Sequence, residues 1–124
     1  MAKKILVIDD DVLVTKSIVK YLKVKGYEVE SADSGKTAIA LAQRLAFDLI
    51  VADIRMPEMN GLEAIRKIRE INSLQGRAHP QEIIITGYAS DDLQKEAQEM
   101  QVAAYIYKPF DIGEFMAAVE RCLT

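Results

Sequence analysis

Three consecutive acids, Asp9, Asp10 and Asp11, form the densest group of chemistry-bearing side chains in this 124-residue sequence. Asp53, Thr86 and Lys108 lie far off along the chain, each at the end of a short run rich in apolar residues. Brought together by folding, these positions would offer carboxylates, a hydroxyl and an amine to one another. Carboxylates at close range repel, and they stay ionised only with a cation among them. All-oxygen ligation suits a hard ion such as Mg²⁺, which keeps some of its waters and accepts phosphate oxygens. Lys108 can bind a phosphate oxygen as a point charge, while the Thr86 hydroxyl hydrogen-bonds another. An aspartate carboxylate can itself be a nucleophile, and phosphoryl transfer onto it gives an acyl phosphate. The expected chemistry is metal-assisted phosphorylation of Asp53, in which positioning and charge neutralisation do most of the catalysis.

The elements that must position these groups are legible in the apolar pattern. Runs at Ile5 to Ile8, Leu49 to Ala52, Ile83 to Ile85 and Ala104 to Tyr107 are short and nearly continuous, as expected of parallel strands buried on both faces. Tyr27 to Ser31 alternates instead and predicts an edge strand with one wet face. Between the runs, Val14, Ile18 and Leu22 make a helical stripe that Gly26 would end. Ala38, Leu41, Ala42 and Leu45 make a second after Ser34, and Leu62, Ile65 and Ile68 a third after Asn60-Gly61. Ile112, Phe115, Met116, Val119 and Leu123 line the last, with Asp111 as its cap. A fourth helix, from Asp91 to Gln101, has only Leu93, Ala97 and Met100 as apolar anchors and should be weakly packed. Strand and helix alternate five times, which predicts an α/β fold with a doubly wound parallel sheet. In such sheets ligands bind beyond the carboxyl ends of the strands, where Asp9, Asp53, Thr86 and Lys108 would all lie.

Length and composition fit one domain over residues 1–124, with no second domain expected. Net charge −3 disfavours a general nucleic-acid or anionic-membrane surface. The single Cys122 excludes an intramolecular disulfide and fits a reducing compartment, and the first apolar run is too short for a signal peptide or membrane span. A soluble, cytoplasmic protein is expected.

Plainer roles compete at each position. Asp9 to Asp11 could be turn acids, and Asp11 suits an N-cap. Asp53 and Thr86 alone could be ordinary strand-end residues, Lys108 a surface lysine, and Tyr105 half-buried packing. Company decides for the functional reading of Asp9, Asp10, Asp53, Thr86 and Lys108. His79 and Cys122 carry no chemistry on this pattern. Arg66, Lys67 and Arg69 read as the solvated face of the third helix.

Four segments, Ile5-Leu6-Val7-Ile8-Asp9-Asp10-Asp11, Asp53-Ile54-Arg55-Met56-Pro57-Glu58-Met59-Asn60-Gly61, Ile85-Thr86-Gly87 and Tyr105-Ile106-Tyr107-Lys108-Pro109-Phe110, together resemble the receiver domain of two-component response regulators. The resemblance implies a flavodoxin-like fold, five strands in the order 2-1-3-4-5 with five helices. It implies that Asp53 accepts a phosphoryl group from a sensor histidine kinase or phosphotransfer protein. Asp9 and Asp10 match the acidic pair that, with Asp53 and the Arg55 backbone carbonyl, holds Mg²⁺. Thr86 and Lys108 match the pair that grips the phosphoryl group, with Thr86 and Tyr105 as switch residues. Arg55 and Tyr88 match positions that tune the lifetime of the acyl phosphate. The Lys108–Pro109 bond is expected to be cis. Such a chain would be a stoichiometric acceptor with self-dephosphorylation, passing its state through the face of the fourth helix, fifth strand and fifth helix to a downstream protein or output domain. Asn60 departs from the usual Asp, and the surplus length before Thr86 is placed in a loop from Ser73 to Gln81. A small haloacid-dehalogenase-like phosphatase is the alternative; Leu13, no late acidic motif and no cap count against it.

Overall fold

The computed structural model describes residues 2–124, so Met1 of the expected domain span lies outside the described residues. Five strands and five helices alternate: β1 (Lys4–Ile8), α1 (Val12–Val24), β2 (Glu28–Ala32), α2 (Gly35–Arg44), β3 (Leu49–Asp53), α3 (Gly61–Leu74), β4 (Gln81–Thr86), α4 (Asp91–Glu99), β5 (Ala104–Tyr107) and α5 (Ile112–Leu123). The strands form one parallel sheet in the order β2-β1-β3-β4-β5. This is the expected flavodoxin-like arrangement.

Alternation along the central strands divides the core into two layers. Leu6, Ile8, Ile50, Ala52 and Ile84 face α2, α3 and α4, while Ile5, Val7, Leu49, Val51, Ile83 and Ile85 face α1 and α5. The aliphatic runs are thus continuous because both faces of the sheet are covered. β2, with its Glu28 and Glu30, is an edge strand as its alternation predicts.

Local chemistry sets the helix ends. Asp11, Ser34, Asn60, Ser90 and Asp111 are the N-caps, and Asn60 forms a reciprocal capping box with Glu63. α1 ends with Gly26 at φ 92° and bonds from Gly26 N–H to Lys23 and Tyr27 N–H to Leu22, the pattern of a left-handed helix stop. α4 ends in the same way, but with Gln101 at φ 60° in the left-handed position.

Three expectations need correction. α4 stops at Glu99 with Met100 as its C-cap, short of Gln101, because the left-handed turn at Gln101 begins there. The loop from Ser73 to Gln81 is shorter than expected: α3 runs on through Leu74 and β4 begins at Gln81, leaving residues 75–80. That loop is fastened, since the Arg77 guanidinium donates to the carbonyls of Ala42, Gln43 and Leu45 at 2.6–3.2 Å and so sits at the negative end of α2. Arg69 is not on a solvated face. Its Nε and Nη2 donate to the two carboxylate oxygens of buried Glu82 at 2.8 and 2.5 Å, and Nη2 also reaches the Met100 carbonyl at 2.7 Å. α4 itself is the most loosely docked of the five helices, as its sparse apolar stripe predicts.

Candidate functional site

β1, β3, β4 and β5 run parallel, so the residues at their carboxyl ends meet along one edge. Asp53 is the last residue of β3 and Thr86 the last of β4; Asp9 follows β1 and Lys108 follows β5. Asp9, Asp53 and Thr86 are buried, and Asp10 points into solvent. Carboxylate oxygens of Asp9, Asp10 and Asp53 lie within 4.8 Å of one another.

Lys108 closes this cluster from the far side. Its ammonium donates to Asp9 Oδ2 at 2.8 Å and to Asp53 Oδ2 at 3.1 Å, while its backbone N–H is tied to the Thr86 carbonyl at 2.8 Å. The Lys108–Pro109 bond is cis, as expected. The second oxygen of each buried acid takes a backbone N–H: Asp11 donates to Asp9 Oδ1 at 2.9 Å and Arg55 to Asp53 Oδ1 at 3.3 Å. Each acid is therefore oriented by one backbone donor and by one shared cation.

Charge in the cluster is unbalanced, with three carboxylates facing one ammonium. Burial pushes the Asp53 carboxyl above its usual range; the Lys108 hydrogen bond and charge oppose this and Asp9 reinforces it. Burial alone would lower the Lys108 ammonium, but hydrogen bonds to Asp9 and Asp53 outweigh it and the pKa is raised. The donor set is all oxygen, compact, and short of positive charge, which fits a hard divalent cation. Asp9, Asp10 and Asp53 are the side chains that would hold it.

The loop after Asp53 is shaped for close approach. A side chain at Gly61 would overlap the Asp53 carbonyl oxygen, and Gly61 N–H donates to the Ile54 carbonyl at 2.9 Å. Only glycine lets α3 begin this near the acceptor strand. Glu58 takes φ 69° in the same loop, a left-handed conformation that costs about 1 kcal/mol or more for a residue with a Cβ.

Thr86 is placed differently from the acids. Its hydroxyl accepts the Tyr88 N–H at 3.0 Å and makes no hydrogen bond to Asp53 or Lys108. The guanidinium of Arg55 lies over the Tyr88 ring, 4.4 Å from its centre. The two residues singled out separately in the sequence thus form a cation–π pair beside Asp53. The Tyr105 hydroxyl is buried without a partner, and its ring packs toward the α3–α4 layer and edge-on to Tyr107. Burial first, then Tyr107 and Asp53, raise its pKa.

Sequence reasoning missed the Lys108 bridge between Asp9 and Asp53, the Arg55–Tyr88 pairing, and the Arg69–Glu82 pair. The last had a signal: Arg69 continues the stripe of Leu62 and Ile65 at the spacing i, i+3, i+7, and Glu82 interrupts an aliphatic strand.

The family model described as response regulator receiver domain matches residues 5–120 of this chain. The chain belongs to that family. Receiver domains are phosphorylation-activated signalling switches. Among curated relatives, the transcriptional regulatory protein CrdR of Helicobacter pylori is 33% identical over 98% of this chain and 55% of its own length. The chain spans between a quarter and just over half of the length of the first curated relatives it matches. Among solved structures, the non-phosphorylated HemR receiver domain from Leptospira biflexa has TM-score 0.87 and 28% identity, covering 98% of this chain and 94% of that one. A response regulator from Burkholderia pseudomallei with a phosphorylated aspartic acid, a calcium ion and citrate has TM-score 0.81 and 27% identity, over 94% of this chain and 65% of that one. The phosphatase alternative finds no support among these relatives. No helix among the described residues is long and apolar enough to cross a membrane.

Proposed function

We propose that this receiver domain, acting as one unit over residues 1–124, is phosphorylated on Asp53 and passes that state to a partner through α4, β5 and α5. The observation that carries the reading is the buried Asp53 carboxylate, held between Lys108 and two further acids at the carboxyl edge of the sheet. An oxygen of Asp53 attacks the phosphorus of a phosphohistidine on a sensor kinase or phosphotransfer protein. The P–O bond forms, the P–N bond breaks, and the imidazole leaves with its electron pair and takes up a proton. Asp9, Asp10, Asp53 and the Arg55 backbone carbonyl would hold Mg²⁺, which would supply charge neutralisation between the two anions. Lys108 binds a phosphoryl oxygen, and the Thr86 hydroxyl donates a hydrogen bond to another. The group is then lost to water, so the chain is a stoichiometric acceptor in a cytoplasmic relay and not a turnover enzyme.

The Arg55–Tyr88 pair, two residues beyond Asp53 and two beyond Thr86, restricts the attacking water and lengthens the life of the acyl phosphate. Switching from a 1:99 to a 99:1 population requires about 5.5 kcal/mol of differential stabilisation. Charge-assisted hydrogen bonds at about 1.5–3 kcal/mol each, from Thr86, Lys108 and backbone N–H groups, are enough to supply it. Recruiting the Thr86 hydroxyl to the phosphoryl group takes it from the Tyr88 N–H and so disturbs the segment leading into α4. Hydrogen exchange should change in at least part of the segment between Asp91 and Tyr107 on phosphorylation, and Thr86→Ala should blunt that change while Asp53 is still labelled. Exchange altered only in the loop after Asp53 would defeat the reading.

A further inference from the structure

At the opposite end of the sheet from Asp53, a second charged cluster involves α4. Glu82 is 3% exposed on the second residue of β4, and Arg69 grips both of its carboxylate oxygens from α3. The same guanidinium donates to the Met100 carbonyl, the C-cap of α4, at 2.7 Å. The Glu82 backbone carbonyl takes the Ala103 N–H at 2.8 Å, just past that cap. The helix stop adds bonds from Gln101 N–H to Gln98 and from Val102 N–H to Ala97, and Val102 packs with buried Ala97. The carboxyl end of α4 is therefore fastened to both α3 and β4.

Its amino end is held much less. Asp91 and Asp92 are exposed, Leu93 is only half-buried, and the ties toward neighbouring elements are a Tyr107 hydroxyl donating to Gln94 and an exposed Arg66–Glu96 pair. This loose end follows Thr86 after four residues, and the first link is the Tyr88 N–H on the Thr86 hydroxyl. Glu82 and Thr86 lie on the same face of β4, four residues or about 13 Å apart along the strand.

We propose that Arg69 and Glu82 form a fixed pivot for α4, so that the helix swings at its Ser90 end and stays in place at Met100. For the response to phosphorylation, the swing rests on Asp53 being the phosphoacceptor. The pivot contacts among Arg69, Glu82 and Met100 involve no group at Asp53. Arg69 is a positioning residue: it touches nothing at Asp53 and acts by choosing which end of α4 can move.

Amide hydrogen exchange followed residue by residue tests this in wild type, Arg69→Met, and the double variant Arg69→Met/Glu82→Met. The double variant removes the unpaired buried charge that could unfold the single one. Before phosphorylation, amides at the carboxyl end of α4, from Gln98 to Val102, should be more protected than those from Leu93 to Lys95. In the folded variant they should lose about tenfold or more of that protection, the order expected for a lost charge-assisted hydrogen bond. After treatment with acetyl phosphate and Mg²⁺, wild type should change from Tyr88 to Lys95 and not from Gln98 to Val102. In the double variant the change should spread over the whole helix, with Asp53 labelled to the same extent. A wild-type change that runs uniformly through Val102, or variant amides as protected as in wild type, overturns the pivot. Failure of Asp53 to label defeats the proposed function instead, and the comparison before phosphorylation then decides the pivot alone.

Discussion

Two buried groups of charge sit at opposite ends of the same sheet and are built on different terms. At the amino end one arginine meets one glutamate, both carboxylate oxygens are used, and the remaining donor goes to a helix carbonyl. At the carboxyl end Asp9 and Asp53 share one lysine, and a third carboxylate, Asp10, lies beside them open to solvent. The first cluster is satisfied by the fold itself. The second is left with uncompensated negative charge, which is what a site for a cation and a phosphoryl group needs before either arrives. Burial of polar groups therefore does not mark function by itself; an unmatched charge at a strand end does.

Stability measurements can break this contrast most directly. Arg69→Met should destabilise the fold by about 3 kcal/mol, since it leaves Glu82 buried without its partner, and Arg69→Met/Glu82→Met should recover most of that loss. Asp53→Asn should do the opposite in metal-free buffer and leave stability unchanged or higher. Burial holds the Asp53 carboxyl above its ordinary 3.8, so its protonated form favours folding. That contribution is complete below 3.8 and is lost as pH rises through the folded value, so the advantage of asparagine should appear near neutrality and vanish in acid. Chemical denaturation across that pH range checks both signs.

Next in size is the response to metal. With Mg²⁺ at about a hundred times its dissociation constant, the wild type should gain about 2.7 kcal/mol of stability. Asp10→Asn should lose most of that gain, while Arg69→Met/Glu82→Met should keep it. A smaller effect sharpens the comparison from outside: Arg66→Ala removes an ion pair whose arginine is 53% exposed, and should cost no more than about 0.5 kcal/mol. A larger loss would mean that the loose docking of α4 depends on surface charge as well as on Arg69.

The five strands, the five helices and the residues of the acidic cluster were legible because each rests on a local signal, whereas the strand order came from the resemblance to receiver domains. Continuous aliphatic runs mark doubly covered strands, and Asp9, Asp53, Thr86 and Lys108 stand at their carboxyl ends. The Arg69 pairing was missed because a single charge at the border of a helical stripe looks the same whether it meets water or an acid 13 residues on. The loop after α3 was drawn too long, since Ser73 and Leu74 carry no stop signal and the helix runs through Leu74 to a left-handed turn at Gly76, where φ is 69°. Side-chain rotation was also beyond reach: nothing in the Tyr105-Ile106-Tyr107 run says that the Tyr105 hydroxyl is buried.

Mass spectrometry after incubation with acetyl phosphate tests the role of Asp53 most directly. With Mg²⁺, the wild type should carry one phosphoryl group on Asp53, the adduct should be absent when EDTA replaces the metal, and Asp53→Asn should carry none. Equal labelling of wild type and Asp53→Asn, or labelling indifferent to Mg²⁺, would contradict the assignment of this cluster as a metal-assisted phosphoacceptor site.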